Sequence, residues 1–276
     1  MGTFAGHALP GSFFLMFGIW STIFQLKKYY RRKKYELGFS GYPEPVYKNQ
    51  FTTPIRCSER GCCCKGGEFP LDSLLKVICC GIGIIGEVYT GFHDGKFTYL
   101  TNAQHSTMFA MFMLAGIFEC CDYFFNFLAI VTECVLFAFH LHGRTPTDIY
   151  VHTILIYVLI VLIVVGLCEV VFLHSLTAGL LRSVIIIAQG SWFWQAILYP
   201  PLPSLPAWDE LAIESIPRST NIFIWHVICV FGFVCLTAAI MGIPLRKPPA
   251  NASAFDSDNS DSETEILEMR QWKTNY

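Results

Sequence analysis

The feature that most constrains this chain is the recurrence of apolar stretches about as long as a bilayer is thick. Hydrocarbon offers no partner to a backbone N–H or C=O, so a run of ~20 apolar residues inside it satisfies its own backbone only as a helix. Seven such stretches can be read, at 8–26, 74–91, 105–125, 127–142, 151–173, 178–199 and 222–243. With 53% hydrophobic and 14% charged residues among 276, the chain is too apolar for a soluble domain. The expected fold is all-α, a polytopic bundle of seven transmembrane helices. The break between the third and fourth stretches is expected at 122–126, where Asp122 and Asn126 interrupt a run of aromatic residues.

Lysine and arginine set the expected orientation. Residues 27–73 carry Lys27, Lys28, Arg31, Arg32, Lys33, Lys34, Lys48, Arg56, Arg60 and Lys65, whereas the loops of the opposite side carry Lys96, Arg144 and Arg218. The positive-inside rule places the 27–73 loop in the cytoplasm, with the N-terminus outside and the C-terminus cytoplasmic. The first apolar run is preceded by no basic residue, so it reads as a retained helix and not a cleaved signal peptide. Two domains follow: a membrane domain over 1–246 and a disordered acidic cytoplasmic tail over 247–276. In that tail D-S-D-N-S-D-S-E-T-E alternates acid and hydroxyl residues, a pattern of solvated chain or of phosphoacceptors. The Asn251-Ala252-Ser253 sequon falls on the cytoplasmic side in this orientation.

Of the twelve cysteines, eight lie in apolar segments and four, Cys57 and Cys62 to Cys64, in the basic loop, so no lumenal disulfide framework is expected. The loop cysteines lack the paired half-sites of a zinc knuckle. They suit S-acylation beside a polybasic stretch, or no role beyond that of a topology determinant.

Chemistry concentrates in E-C-V-L-F-A-F-H-L-H-G-R-T-P-T-D-I-Y-V-H, residues 133–152. Read as a helix, Glu133 and His140 share a face with ~10 Å of rise between them; Gly143 and Pro146 end that helix, Asp148 caps the next, and His152 returns to the depth of His140. His105 and Ser106 at the start of the third stretch, Glu87 near the end of the second and His226 early in the seventh fall at the same level, with His7 beside them. Imidazoles and carboxylates converging from separate helices are how bundles build metal sites. The expected metal is Zn2+, on His140, His152 and His226, with His105 as substitute and Glu87 as an acidic ligand. Glu133 stands beneath His140, where it would orient that ring or act as the catalytic base, and Ser106 and Asp148 stand close enough to assist. At the other end Arg182 is expected to pair with Glu169 or Glu119, because a charge in lipid is usually matched by another.

Several separate motifs carry a family resemblance: G-H-A-L-P-G-S-F-F near the start, H-S-T-M, H-L-H-G-R followed by Asp148 and His152, L-R-S with Q-G-S-W-F in the sixth stretch, Y-P-P, P-A-W-D and W-H. Together they resemble the transmembrane protein 45 family across all seven stretches in order. The resemblance implies a multi-pass protein of the secretory pathway (Golgi) or plasma membrane and brings no reaction with it. The cysteine-rich 57–64 segment and the tail depart from the pattern.

Three functional readings follow. A zinc site of three such ligands lowers the pKa of water to ~7 and polarises a carbonyl, which suits a hydrolase acting on the amide or ester of a lipid. A metal or proton transporter needs polar groups through the whole bilayer, and ~21 Å of helix separates His105 from Glu119. A structural or trafficking protein needs the histidines only as interhelical hydrogen bonders. The bilayer is the expected partner in each case, and no nucleic-acid partner is expected.

Overall fold

The computed structural model describes residues 4–38, 46–51, 55–56, 68–118, 122–197 and 214–243. Among them are seven helices: α1 (Phe4–Glu36), α2 (Leu71–Gly91), α3 (Leu100–Ile117), α4 (Asp122–Ala138), α5 (Pro146–Val171), α6 (Leu176–Ile197) and α7 (Ser215–Gly242). By length and composition α1, α5, α6 and α7 are each able to cross a membrane, and Tyr123–Ala138 is a shorter apolar helix. Two small antiparallel ladders complete the structure, Ile55–Arg56 with Glu68–Phe69 and Phe92–His93 with Lys96–Phe97. The second is a hairpin whose turn residues Asp94 and Gly95 have φ of 50° and 73°; it folds α3 back along α2.

Neighbouring helices from α2 through α6 touch in sequence, and α1 closes the ring by packing on α6 and, more lightly, on α2. The α1–α6 seam is made of glycines. A Cβ at Gly11 would stand 2.9 Å from Cβ of Phe193, one at Gly18 2.5 Å from Ile187, and one at Gly190 2.7 Å from the Leu15 nitrogen. Gly11 and Gly18 are seven residues apart and lie on one face, which is how small residues let two helices approach without a hydrophobic driving force. α7 packs outside the ring on α6 and α1, and Trp225, Phe231, Leu236 and Ile240 on it are exposed, as a lipid-facing helix requires.

Three boundaries differ from the sequence reading. α1 continues through the basic run to Glu36, so the loop begins only at Leu37; Glu36 accepts from Arg32 (2.9 Å) and Lys33 (3.4 Å), and cations near a helix C-terminus meet its negative end. α3 ends at Ile117 and α4 starts at Asp122, so Asp122 to Asn126, expected to form the break, are helical. α4 stops at Ala138, before both His140 and His142; Thr145 takes the N-cap of α5, and Pro146 its first position, where a missing N–H costs nothing. Residues 57–64 and the 247–276 tail lie outside the described residues.

A polar layer marks the end of the bundle near the lysines. Arg182 Nε donates to Glu169 Oε2 at 2.7 Å, both side chains being fully enclosed, and its Nη2 donates to the Gln50 carbonyl at 2.8 Å while the guanidinium lies 4.1 Å from the Phe51 ring centre. Glu169 is thus the partner of Arg182; Glu119 lies outside the described residues. Beside this pair Tyr47 donates to Asn49, and Gln25 donates to the Gly179 carbonyl. The 46–51 segment is tied to α6 by Arg182, to α1 by Lys28, which donates to the Lys48 carbonyl, and to the turn after α5 by the Asn49 N–H, which donates to the Leu173 carbonyl.

Candidate functional site

At the opposite end four histidines gather from three helices and one turn. His105 at the start of α3 and His140 in the α4–α5 turn have ring centres 5.0 Å apart, His140 and His152 on α5 6.1 Å, and His152 and His7 at the start of α1 5.7 Å. Each of the first three rings is oriented through Nδ1. His105 Nδ1 faces Glu87 Oε1 at 3.1 Å, His140 Nδ1 faces Gln104 Oε1 at 2.8 Å, and His152 Nδ1 lies 2.8 Å from the Asp148 carbonyl and 3.2 Å from its carboxylate. Arg144 spans the turn: Nη1 donates to Asp148 Oδ2 at 2.8 Å, Nε to the His140 carbonyl at 2.9 Å, and Nη2 to His140 Nε2. A guanidinium only donates, so His140 accepts at Nε2, carries its proton on Nδ1 and is neutral. Burial, then the Arg144 charge and the neighbouring histidines, pushes its pKa down to about 3.

The sequence-derived set is only partly assembled. His105, His140, His152, Glu87 and Asp148 come together, and His142 faces out of the turn, exposed. His226 does not join them: its nitrogens meet Ser191 Oγ (3.0 Å) and Gln195 Oε1 (3.3 Å), and its ring stands edge-on to Trp192. His226 shares their level, but α7 lies outside the ring of helices. Glu133 is removed from the cluster too, fully enclosed and bonded to Gln189 on α6 at 2.8 Å, because α4 ends before His140 and the helical register that aligned the two is lost. Ser106 Oγ is buried with no hydrogen-bond partner among the described residues and does not line the histidine cavity. Asp148 sits in the first turn of α5 instead of capping it, its carboxylate held by Arg144 and His152. Two participants the reading passed over had a visible signal: Arg144 lies four residues from both His140 and Asp148, and Gln104 adjoins His105.

Residues 121–239, from the start of α4 into α7, match the sequence profile described as a family of unknown function (DUF716). Over 259 residues the chain is 24% identical to transmembrane epididymal protein 1 of Rattus norvegicus, covering 84% of this chain and 80% of the relative. Transmembrane epididymal protein 1A of Mus musculus is 25% identical over 255 residues with the same coverage, and transmembrane epididymal protein 1 of Homo sapiens 28% over 156 residues, 50% of this chain and 56% of the relative. The chain is similar to the transmembrane epididymal proteins. The likeness to the transmembrane protein 45 family read from the motifs stands, and with the apolar helices it makes the chain a multi-pass membrane protein. The DUF716 match contains His140, Arg144, Asp148 and His152; His7, Glu87 and His105 precede it.

The four histidines and Arg144 line a cavity of about 30 Å3, room for an ion or about one water molecule. Pro10 and Met108 separate it from a second cavity of about 100 Å3 on the bundle axis, walled by Phe13, Phe14, Phe109 and Phe112. Two imidazoles on one tetrahedral zinc would place their ring centres ~5.3 Å apart, given Zn–N bonds of ~2.0–2.1 Å. The observed 5.0 and 6.1 Å bracket that value. Nδ1 held by an outer oxygen is also the arrangement that fixes a ligating histidine. Even so, no group of three His, Cys, Asp or Glu side chains among the described residues is closed onto one point. Arg144, donating to His140 Nε2, is what has to move for that nitrogen to ligate. The ring nitrogens are donors of the type zinc takes, and with Arg144 on His140 Nε2 they are not assembled around one point.

Proposed function

We propose that the histidine cluster is a zinc site and that it hydrolyses the amide or ester of a lipid. One observation carries the reading: the rings of His105, His140 and His152, from α3, the α4–α5 turn and α5, with His140 centred 5.0 Å from His105 and 6.1 Å from His152, are each oriented through Nδ1 by Glu87, Gln104 or Asp148. His105, His140 and His152 are the ligands, with His7 on the fourth side. When bound, zinc supplies a Lewis acid for the carbonyl and lowers the pKa of water. Asp148 holds both the His152 ring and Arg144. Glu87, only partly enclosed at the cluster's rim, is the carboxylate placed to carry a proton, a role that position denies Glu133.

The axial cavity supports an apolar substrate that enters from the bilayer. Its ~100 Å3 is below the ~150 Å3 that accommodates benzene, so only a short apolar end fits until the phenylalanines turn. The histidine end faces the exoplasmic side and the lysine end of α1 the cytoplasm, by the same charge asymmetry that orients the chain. The protein resides in the Golgi or plasma membrane.

The test is turnover of lipid esters and amides by purified protein. Hydrolysis that stops with a chelator, returns with zinc and is lost in His105→Ala and His152→Ala supports the reading. Intact lipids with zinc-loaded protein contradict it. One feature favours a second role, in which the cluster only clamps helices together: both nitrogens of His140 already have partners. On that reading the same replacements lower stability and zinc has no effect.

A further inference from the structure

The mechanism leaves Glu133 unused, and its surroundings are unusual. The side chain is 0% exposed in the apolar middle of the bundle, and Gln189, equally enclosed on α6, donates Nε2–H to Oε1 at 2.8 Å. The other oxygen of each residue, Glu133 Oε2 and Gln189 Oε1, has no hydrogen-bond partner among the described residues. Two enclosed acceptors left over on one bonded pair lack a hydrogen between them.

Among the described residues no countercharge is bonded to Glu133. Cys134 follows on α4. Arg182, on α6, is seven residues from Gln189, ~10 Å along the axis, and committed to Glu169. On α5, Asp148 and His152 bind each other at the histidine end; on α3, His105 is bound to Glu87 on α2. His140 lies beyond the end of α4 and is held by Gln104 and Arg144. An ionised carboxylate with one amide donor in such a setting costs several kcal/mol, whereas the neutral acid costs far less and adds a donor.

We propose that Glu133 is a proton-binding site: it holds a proton on Oε2, and this O–H closes on Gln189 Oε1 to make a neutral, doubly hydrogen-bonded acid–amide pair between α4 and α6. In that pair the amide N–H donates to Oε1 and the acid O–H to the amide oxygen, so each terminal group both donates and accepts. The proton is bound and released as H+ from the solvent, Glu133–COOH giving Glu133–COO−, so no other reactant is needed. Release requires the α4–α6 contact to open, because the anion has no second donor there.

The test uses infrared spectroscopy of the full chain in lipid nanodiscs at pH 7. A protonated-carboxyl carbonyl band that vanishes in Glu133→Gln, while the variant keeps the wild-type melting temperature, is the expected result, since glutamine is neutral and similar in shape. Gln189→Leu serves where Glu133→Gln fails to fold: with no amide partner the acid band should shift in frequency. Absence of a band sensitive to either substitution overturns the proposal. So does a melting temperature that rises with sodium in the wild type and not in Glu133→Gln, which would mean that a cation, not a proton, joins the two oxygens.

Discussion

Arg182 shows how much one enclosed charge decides. Its guanidinium meets Glu169, the Gln50 carbonyl and the Phe51 face at once. Arg182→Leu strands the Glu169 carboxylate and should cost about 3–5 kcal/mol, read as a lower melting temperature; Arg182→Leu with Glu169→Leu should recover much of the loss, because removing both charges also removes their desolvation penalty. A double variant no more stable than the single one would contradict this. The pairing was legible in the sequence because two opposite charges at one depth in an apolar matrix have few other partners. The role of Glu133 was not legible, because its alignment with His140 assumed a helix that stops two residues short of that histidine. His226 misled for a related reason: depth along the bilayer can be counted from sequence, whereas the side of the bundle on which α7 lies cannot.

At the scale of the elements, the α1–α6 seam depends on absent side chains. Gly18→Val would press into Ile187 and should lower stability by about 1–3 kcal/mol, whereas Gly86→Ala on α2, with open space around it, should cause no loss. Equal melting temperatures for the two variants would show that the seam is not packed as described. Apolar length made the helices themselves visible in the sequence, but their ends were set by local chemistry. The hairpin of Phe92–His93 with Lys96–Phe97 and the helical course of the basic run to Glu36 lay outside what hydropathy reports. The turn from His140 to Pro146 was foreseen from Gly143, whose φ is 76°, and Pro146, and its Arg144 bridge was there to be read in the four-residue spacings.

At the scale of the whole molecule, α1 to α6 form a ring with a polar layer at each end, histidines at one and the Arg182–Glu169 pair at the other, and α7 lies against its outer side. The expected topology puts the histidine layer outside, so in sealed Golgi-derived vesicles, whose lumen is the exoplasmic side, an N-terminal tag should be protected from protease and a C-terminal one cleaved; the reverse pattern would move the cluster to the cytoplasmic face. Whether the histidine layer binds zinc is read by elemental analysis of the purified full chain. About one zinc per chain is expected, lost in His105→Ala, His140→Ala and His152→Ala and retained in His226→Ala. Protein that stays free of zinc after incubation with it, or that loses zinc only in His226→Ala, would contradict the account.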